Sequence, residues 1–576
     1  MKKTGAWLVR YALEQLGVRH TFGIPGVHTT EIYDELNNSN QIKPMLVTHE
    51  AGAAFMADSV SRTSDTIGVC VLVPAAGLTH AMSGIGEAYL DGIPMLVISG
   101  GTRTDTGHQY QLHQMDQQAL MAPLTKGAFR TETQDDIIPT LYKAYDLATT
   151  GEPGPVYVEI PVNLQLLKGT VSHLPDYTAP KRLGAAPIDT DIEQAAKLLA
   201  GAKNPGIFIG WGAKRAREAL ITLSDLLNAP VCSSLQGLGV FPHDHPHWAG
   251  MGFGPAAVPA AHQSFKDCDV MLAVGVRFGE IATGSFGSIP PEKLIHIDIN
   301  PDALSANYPA TINIESDSAE AVPHLLSALQ SLDIRQKKSP DHLIHKGRES
   351  YLKAWQNHDS KDRVNPAQFF SALDTHMDDT GIIVVDDGNH TFLTAELMPI
   401  SHDRRFISPT DFNCMGYCVP AANAAKLENR TRQVAGIVGD GAFLMTGMEA
   451  LTASSNHLGV VYFIFADGEL SQIAQAQQVP YNRKTCTVLP ELNLEGMAMA
   501  VHAGYVEINT NEDCAKGIKQ AFDMAAADRP VIVRVNIDYS KRTAFTEGAL
   551  KANIDRFDTM TKLRMVGRAV SRKITG

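Results

Sequence analysis

The sequence predicts an α/β protein built from parallel sheets covered by helices, in three successive blocks. Three observations lead there. Short Val/Ile/Leu runs alternate with Ala-rich helical stretches along most of the 576 residues. Two breaks interrupt that alternation: residues 172–187, with three prolines and no periodicity, and residues 331–366, polar and highly charged. The first and third blocks also end alike, on Gly154-Pro155-Val156-Tyr157-Val158-Glu159-Ile160-Pro161 and on Arg529-Pro530-Val531-Ile532-Val533-Arg534-Val535, a hint of a shared fold. The expected units are 1–180, 188–340 and 366–545, followed by a tail at 546–576 that is basic and partly helical, either a solvated terminus or a cover for the active site.

Composition narrows the function. Apolar residues make up 44% and charged residues 19%, which is ordinary globular material. A net charge of −13 argues against a nucleic-acid partner, which requires a concentrated positive field. No apolar run approaches the roughly 18 residues of a membrane span; residues 458–466 are of strand length. The N-terminus lacks the apolar core of a secretory signal. Seven scattered cysteines, an odd number, point to a reducing compartment and hence to the cytoplasm. Cys414 and Cys418 have no second Cys/His pair to complete a zinc site and read as small packing residues.

The third block carries the most specific chemistry. An apolar strand at 434–438 runs into Gly439-Asp440-Gly441-Ala442-Phe443, and a helical pattern follows (Met448, Leu451, Thr452, Ser455). A second strand, 460–465, ends at Ala466-Asp467-Gly468-Glu469. Glycines at a strand-to-helix turn let the backbone approach a phosphate, and the helix N-terminus favours its charge. A carboxylate in that position needs a divalent cation as a bridge, and Mg²⁺ prefers oxygen ligands. Neighbouring strands would bring Asp440 and Asp467 to one ion.

These residues resemble the diphosphate motif of thiamine-diphosphate (ThDP) enzymes of the acetolactate synthase group, a Gly-Asp-Gly followed further on by Asn-Asn. Here Ala466 and Asp467 stand for the two asparagines. The resemblance implies that Asp440 and Asp467 are metal ligands, that Glu469 supplies a backbone carbonyl to the metal, and that Gly439, Gly441, Ala442 and Phe443 border the diphosphate. It extends over almost the whole chain and implies three doubly wound parallel-sheet domains, binding pyrimidine, central and diphosphate in that order. Phe22-Gly23-Ile24-Pro25-Gly26 resembles the first-strand turn, with Pro25 at the cofactor. His49-Glu50-Ala51-Gly52-Ala53 matches the His-Glu-x-Gly/Ala-Ala motif, so Glu50 is the glutamate that hydrogen-bonds the aminopyrimidine; on its own it would read as a helix N-terminal charge. Pro74-Ala75-Ala76-Gly77-Leu78-Thr79-His80 resembles Gly-Pro-Gly-x-x-Asn/His, bringing in Gly77 and His80. Asp386-Asp387-Gly388-Asn389-His390 resembles a diphosphate loop that contributes Gly388, Asn389 and His390. Asn413-Cys414-Met415-Gly416-Tyr417-Cys418-Val419-Pro420 resembles the family's Gly-x-Met-Gly-x-Gly-x-Pro stretch, which implies that Met415 is the wedge that bends ThDP and that the Asn413 carbonyl accepts from its 4′-amine. Gly275-Val276-Arg277-Phe278 resembles the central domain that holds FAD in some relatives and no flavin in others, with Arg277 as the candidate contact.

Which reaction follows is read from departures. Ile281 replaces the arginine with which acetolactate synthases position a second 2-oxo acid, and Ala476 stands where they carry a tryptophan. His28 resembles a histidine of benzaldehyde-lyase-type carboligases, and His113 falls near the active-site glutamine; either can shuttle a proton. The leading expectation is decarboxylation of a 2-oxo acid with ligation of the acyl unit to an acceptor, in a homodimer or homotetramer. The alternatives are an FAD-dependent 2-oxo acid oxidase and a non-catalytic relative of the fold.

Overall fold

The computed structural model describes residues 1–179, 186–335, 337–400 and 405–575. Residues 180–185 of the expected linker, and Gly576 at the end of the tail, lie outside the described residues.

Three six-stranded sheets form the frame, and all their paired strands are parallel. Their central strands are buried on both faces, and so appear in the sequence as unbroken apolar runs rather than as alternation. Gly68–Leu72, Met95–Gly101 and Pro155–Pro161 are buried at every position. The N-terminal and C-terminal sheets share one strand order, 2-1-3-4-6-5 counted within each domain. The echo between the two block ends reflects this: Pro155–Pro161 and Val531–Val535 are the sixth strand of their respective sheets. The central sheet has the order 3-2-1-4-5-6, that of dinucleotide-binding doubly wound folds.

One apolar core is shared by the first and third domains of the same chain. Helix Glu50–Thr63 packs on helix Cys418–Glu428, with Phe55 meeting Tyr417 edge-on at its start (ring centroids 5.5 Å apart). The approach is close enough for Ser59 Oγ to donate to the Ala421 carbonyl (2.7 Å). Beside it lies a buried ionic knot. Arg62 donates to Asp58 (2.6 Å) and Asp91 (2.8 Å), and the Tyr417 hydroxyl donates to Asp58 (2.6 Å). Burial of these charges is tolerated because each is paired and hydrogen-bonded.

Two segments differ from expectation. The polar break at 331–366 contains a 16-residue helix, Asp341–Gln356, anchored by buried Ile344, Gly347 and Trp355 with Tyr351 partly buried. That spacing is one helical stripe, hidden among charged neighbours. The helix Ala544–Asp555 crosses the expected boundary at 546: Phe545 stacks on Phe392 with ring centroids 4.0 Å apart. The tail helix Thr559–Thr575 lies on helix Ser471–Tyr481, with Arg568 donating to the Pro480 carbonyl (3.1 Å) and Arg572 to that of Tyr481 (3.0 Å). Among the described residues no helix is long and apolar enough to cross a membrane.

Candidate active site

The first half-site stands at the carboxyl ends of the N-terminal strands. His49 caps helix Glu50–Thr63, its Nδ1 accepting from the Ala51 N–H (3.1 Å), which places Glu50 in the first turn, where the helix dipole favours a negative charge. Glu50 is buried, and its carboxylate meets His80 Nδ1 at 3.0 Å. The His80 ring stacks on His49 (centroids 4.8 Å apart). Gly77 has no room for a side chain: a Cβ there would lie 2.7 Å from Val73 and 3.1 Å from Glu50 Oε1. Ala75, where the family carries glycine, has φ +54°, a conformation costly for alanine. The Ala75 N–H donates to the side-chain Oε1 of buried Gln117 (3.0 Å). Pro25 is exposed at its turn. His28 and His113 are brought together, with ring centroids 5.3 Å apart, and the Nδ1 of each is buried without a hydrogen-bond partner. Burial, and then His113, lower the pKa of His28.

The second half-site stands at the carboxyl ends of the C-terminal strands. Asp440 is buried at the start of helix Asp440–Thr446; its Oδ1 accepts from Gly441 N–H (2.8 Å) and its Oδ2 from Asp467 (3.1 Å) and Gly468 (2.8 Å) N–H groups. One carboxylate thus ties together both strand-end loops. Burial pushes Asp440 upward, and burial with the nearby Asp440 charge pushes Asp467 up to about 6 against the hydrogen bond from Ser471. Two such carboxylates are a donor set that suits Mg²⁺, which would offset their mutual repulsion. The Glu469 side chain is occupied by Lys484 (2.5 and 2.7 Å), leaving its backbone as the part that could serve a metal.

The diphosphate side fits as well. His390 is buried and its Nε2 has no partner. A Cβ on Gly388 (φ +147°) would lie 2.6 Å from that ring, and one on Gly439 3.1 Å from it. An unsatisfied buried nitrogen beside bare backbone suits a phosphoryl oxygen. Burial lowers His390 to about 3, so the ring is neutral. Asn389 begins the adjacent helix Asn389–Leu397, and Gly441, Ala442 and Phe443 are buried at the start of theirs. Asn413 is left-handed (φ +62°), a conformation asparagine tolerates better than most residues, and Met415 is partly buried against the shared core.

Arg277 is not free for a flavin. It donates to Glu152 (3.0 Å), Asp411 (2.5 Å) and the Leu90 carbonyl (2.5 Å). The crevice around it is lined by four carboxylates, Asp91, Glu152, Asp298 and Asp411. That charge balance does not fit the diphosphate of FAD. Ile281, in the same domain, packs against the core.

Sequence reasoning missed several buried acids. Glu449 accepts from the Thr48 (3.0 Å) and His49 (3.0 Å) N–H groups, so the C-terminal domain braces the start of the Glu50 helix. Glu87 and Asp91 receive backbone N–H groups of the segment that carries Asn413 and Met415, as does Asp386 of the diphosphate loop already marked in the sequence. Acids on helices ordinarily read as a solvated face, and no motif marks Glu87 or Glu449.

Comparison with known proteins shows the family. Three family models of thiamine pyrophosphate enzymes match in order: the N-terminal TPP binding domain at residues 3–120, the central domain at 192–325 and the C-terminal TPP binding domain at 386–535. A probable acetolactate synthase large subunit of Methanocaldococcus jannaschii is 33% identical over 504 residues, 84% of this chain and 83% of that one. The acetolactate synthase large subunit of Haemophilus influenzae is 29% identical over 94% of this chain and 96% of its own, and the isozyme 2 large subunit of Escherichia coli is 28% identical over 93% and 95%. With all three domains matched, and with Glu50 and the Asp440–Asp467 pair at the strand ends, the chain belongs to the thiamine-diphosphate-dependent enzymes of the acetolactate synthase group.

Proposed function

We propose that the protein is a ThDP- and Mg²⁺-dependent carboligase that takes an acyl unit from a 2-oxo acid, with loss of CO₂, and joins it to an acceptor carbonyl. The observation that carries this reading is Glu50, a buried carboxylate at a helix N-terminus whose side chain meets only His80 among the described hydrogen bonds. A purely structural acid there would gain more from exposure.

When bound, ThDP supplies a nucleophilic carbon and an electron sink. The chain does the rest. Glu50 holds the proton at the pyrimidine nitrogen, and the Asn413 carbonyl orients the amine. Met415 would supply bulk against the cofactor. Asp440, Asp467 and the Glu469 carbonyl hold Mg²⁺; His390, with Gly388, Asn389, Gly439 and Gly441, holds the diphosphate. His28 and His113, with free buried nitrogens, move a proton at the carbonyl oxygen of the substrate. The flavin-oxidase reading is disfavoured by the occupied Arg277. Seven free cysteines support a cytoplasmic setting.

The test is product analysis by mass spectrometry with a panel of 2-oxo acids and aldehydes. Ligated products that require ThDP and Mg²⁺ and vanish in Glu50→Gln support the proposal. Oxygen uptake without ligation would favour the oxidase, and no product from any pair would favour a non-catalytic relative.

We further propose a homodimer, or a dimer of dimers. Both half-sites are rimmed by large exposed apolar side chains, Val27, Tyr110, Leu112 and Met115 around the histidine pair and Leu444, Met445 and Met448 after Asp440. Such patches mark surfaces that other molecules cover, and twofold pairing is the commonest way to cover them. Light scattering at assay concentration should give at least twice the chain mass; a fully active monomer would contradict it.

A further inference from the structure

Asn413 and Met415 sit on the segment 408–417, which neither strand nor helix holds. Its backbone donors go to buried carboxylates instead. Gly416 and Cys418 N–H groups donate to Asp386 of their own domain (2.8 Å each). From the N-terminal domain, helix Ala76–Asp91 sends Glu87 and Asp91 into the same segment. Thr410 N–H donates to Glu87 Oε1 (3.1 Å), Cys414 N–H to Glu87 Oε2 (3.0 Å), and Asp411 N–H to Asp91 Oδ1 (3.0 Å). Glu87 has no exposed surface, and burial, followed by the neighbouring Asp91, pushes its pKa well up. A carboxyl group so costly to bury is not needed to pack two helices; an apolar side chain would pack better.

The position of Cys414 explains it. A peptide unit is planar and trans, so the Cys414 N–H and the Asn413 C=O belong to one rigid plane and point in opposite directions. Fixing the N–H on Glu87 therefore fixes the direction of the carbonyl. Asn413 is itself left-handed, so without an outside anchor this peptide could turn over. We propose that Glu87 is a positioning residue for catalysis: by accepting the Cys414 N–H from across the domain interface, it aims the Asn413 carbonyl, while Asp386 fixes the next anchored N–H, that of Gly416, on the far side of Met415. This rests on the reading that Asn413 and Met415 meet the cofactor.

Amide hydrogen exchange resolved to single residues, with steady-state kinetics on the same full-length samples, tests the proposal. In the wild type the Cys414 N–H, whose acceptor is a side chain, should exchange slowly. In Glu87→Gln the side chain offers one oxygen instead of two. Exchange at Thr410 and Cys414 should quicken at least tenfold in total while Gly416 and Cys418 keep their rates, and kcat should fall at least tenfold with the donor KM within twofold. Unchanged exchange at Cys414 in the folded variant overturns the proposal. So does free exchange there in the wild type, a result that does not depend on whether the variant folds. Fast exchange with wild-type kcat also overturns it, but shows that Glu87 does hold the segment and that it is the role given to Asn413 that fails.

Discussion

Glu50→Gln should keep the fold and lose at least two orders of magnitude in turnover. The substitution preserves shape and one acceptor oxygen, so the contact with His80 and the packing at Gly77 can survive. What it removes is the proton exchange of a carboxyl group, and acid–base groups of this kind contribute roughly 10²–10⁴-fold. The helix start does not depend on the Glu50 charge, because His49 caps it from one side and Glu449 binds the preceding N–H groups from the other. Circular dichroism and thermal melting should therefore match the wild type while the rate collapses. Wild-type turnover in this variant would remove Glu50 from the chemistry, and with it the main support for the proposed reaction.

The parallel sheets were legible because burial on both faces writes an apolar run directly into the sequence. The runs at 68–73, 95–98, 156–160, 270–274 and 434–438 each coincide with a strand. Helix Asp341–Gln356 was not legible for the opposite reason. Its buried residues are only Ile344, Gly347 and Trp355, one of them a glycine, and its charged residues outnumber them. Glycine at 347 is there because helix Pro259–Phe265 passes so close that a Cβ would lie 2.6 Å from the Ala260 backbone. That reason exists only in three dimensions.

The candidate site divides along the same line. Asp440, Asp467, His390 and Glu50 lie at strand ends or helix starts, where local sequence marks a turn and a charge together. Glu87, Asp91 and Glu449 lie within or between helices, and act on backbone N–H groups more than 300 positions away in sequence. The donors they hold cannot be guessed without the domain interface. The flavin alternative finds no support here for a related reason: Gly275-Val276-Arg277 is present, but Glu152 and Asp411, from two other domains, hold the guanidinium.

Asp467 should reveal itself through the metal. If it shares one Mg²⁺ with Asp440, Asp467→Ala should weaken Mg²⁺ and ThDP together, because the ion bridges protein and diphosphate. The loss should be at least the roughly 10–100-fold that follows removal of an outer-shell partner. Asp467→Asn restores the asparagine usual in the family and keeps an oxygen donor, so activity should be retained. The structure sharpens the alternative. Gly468 has φ +79°, and Asp467 accepts from the Ser471 hydroxyl, as a turn residue ahead of a helix would. On that reading Asp467→Ala loosens the turn but leaves the ion, since Asp440 still holds the Asp467 and Gly468 N–H groups through the backbone. Titration calorimetry of ThDP with and without Mg²⁺ separates the two. A turn residue lowers stability and leaves the Mg²⁺ dependence of ThDP binding untouched; a ligand raises both requirements in parallel. Wild-type Mg²⁺–ThDP binding by Asp467→Ala would make the metal assignment at this position wrong, and the carboxylate in place of asparagine would then belong to the loop rather than to the ion.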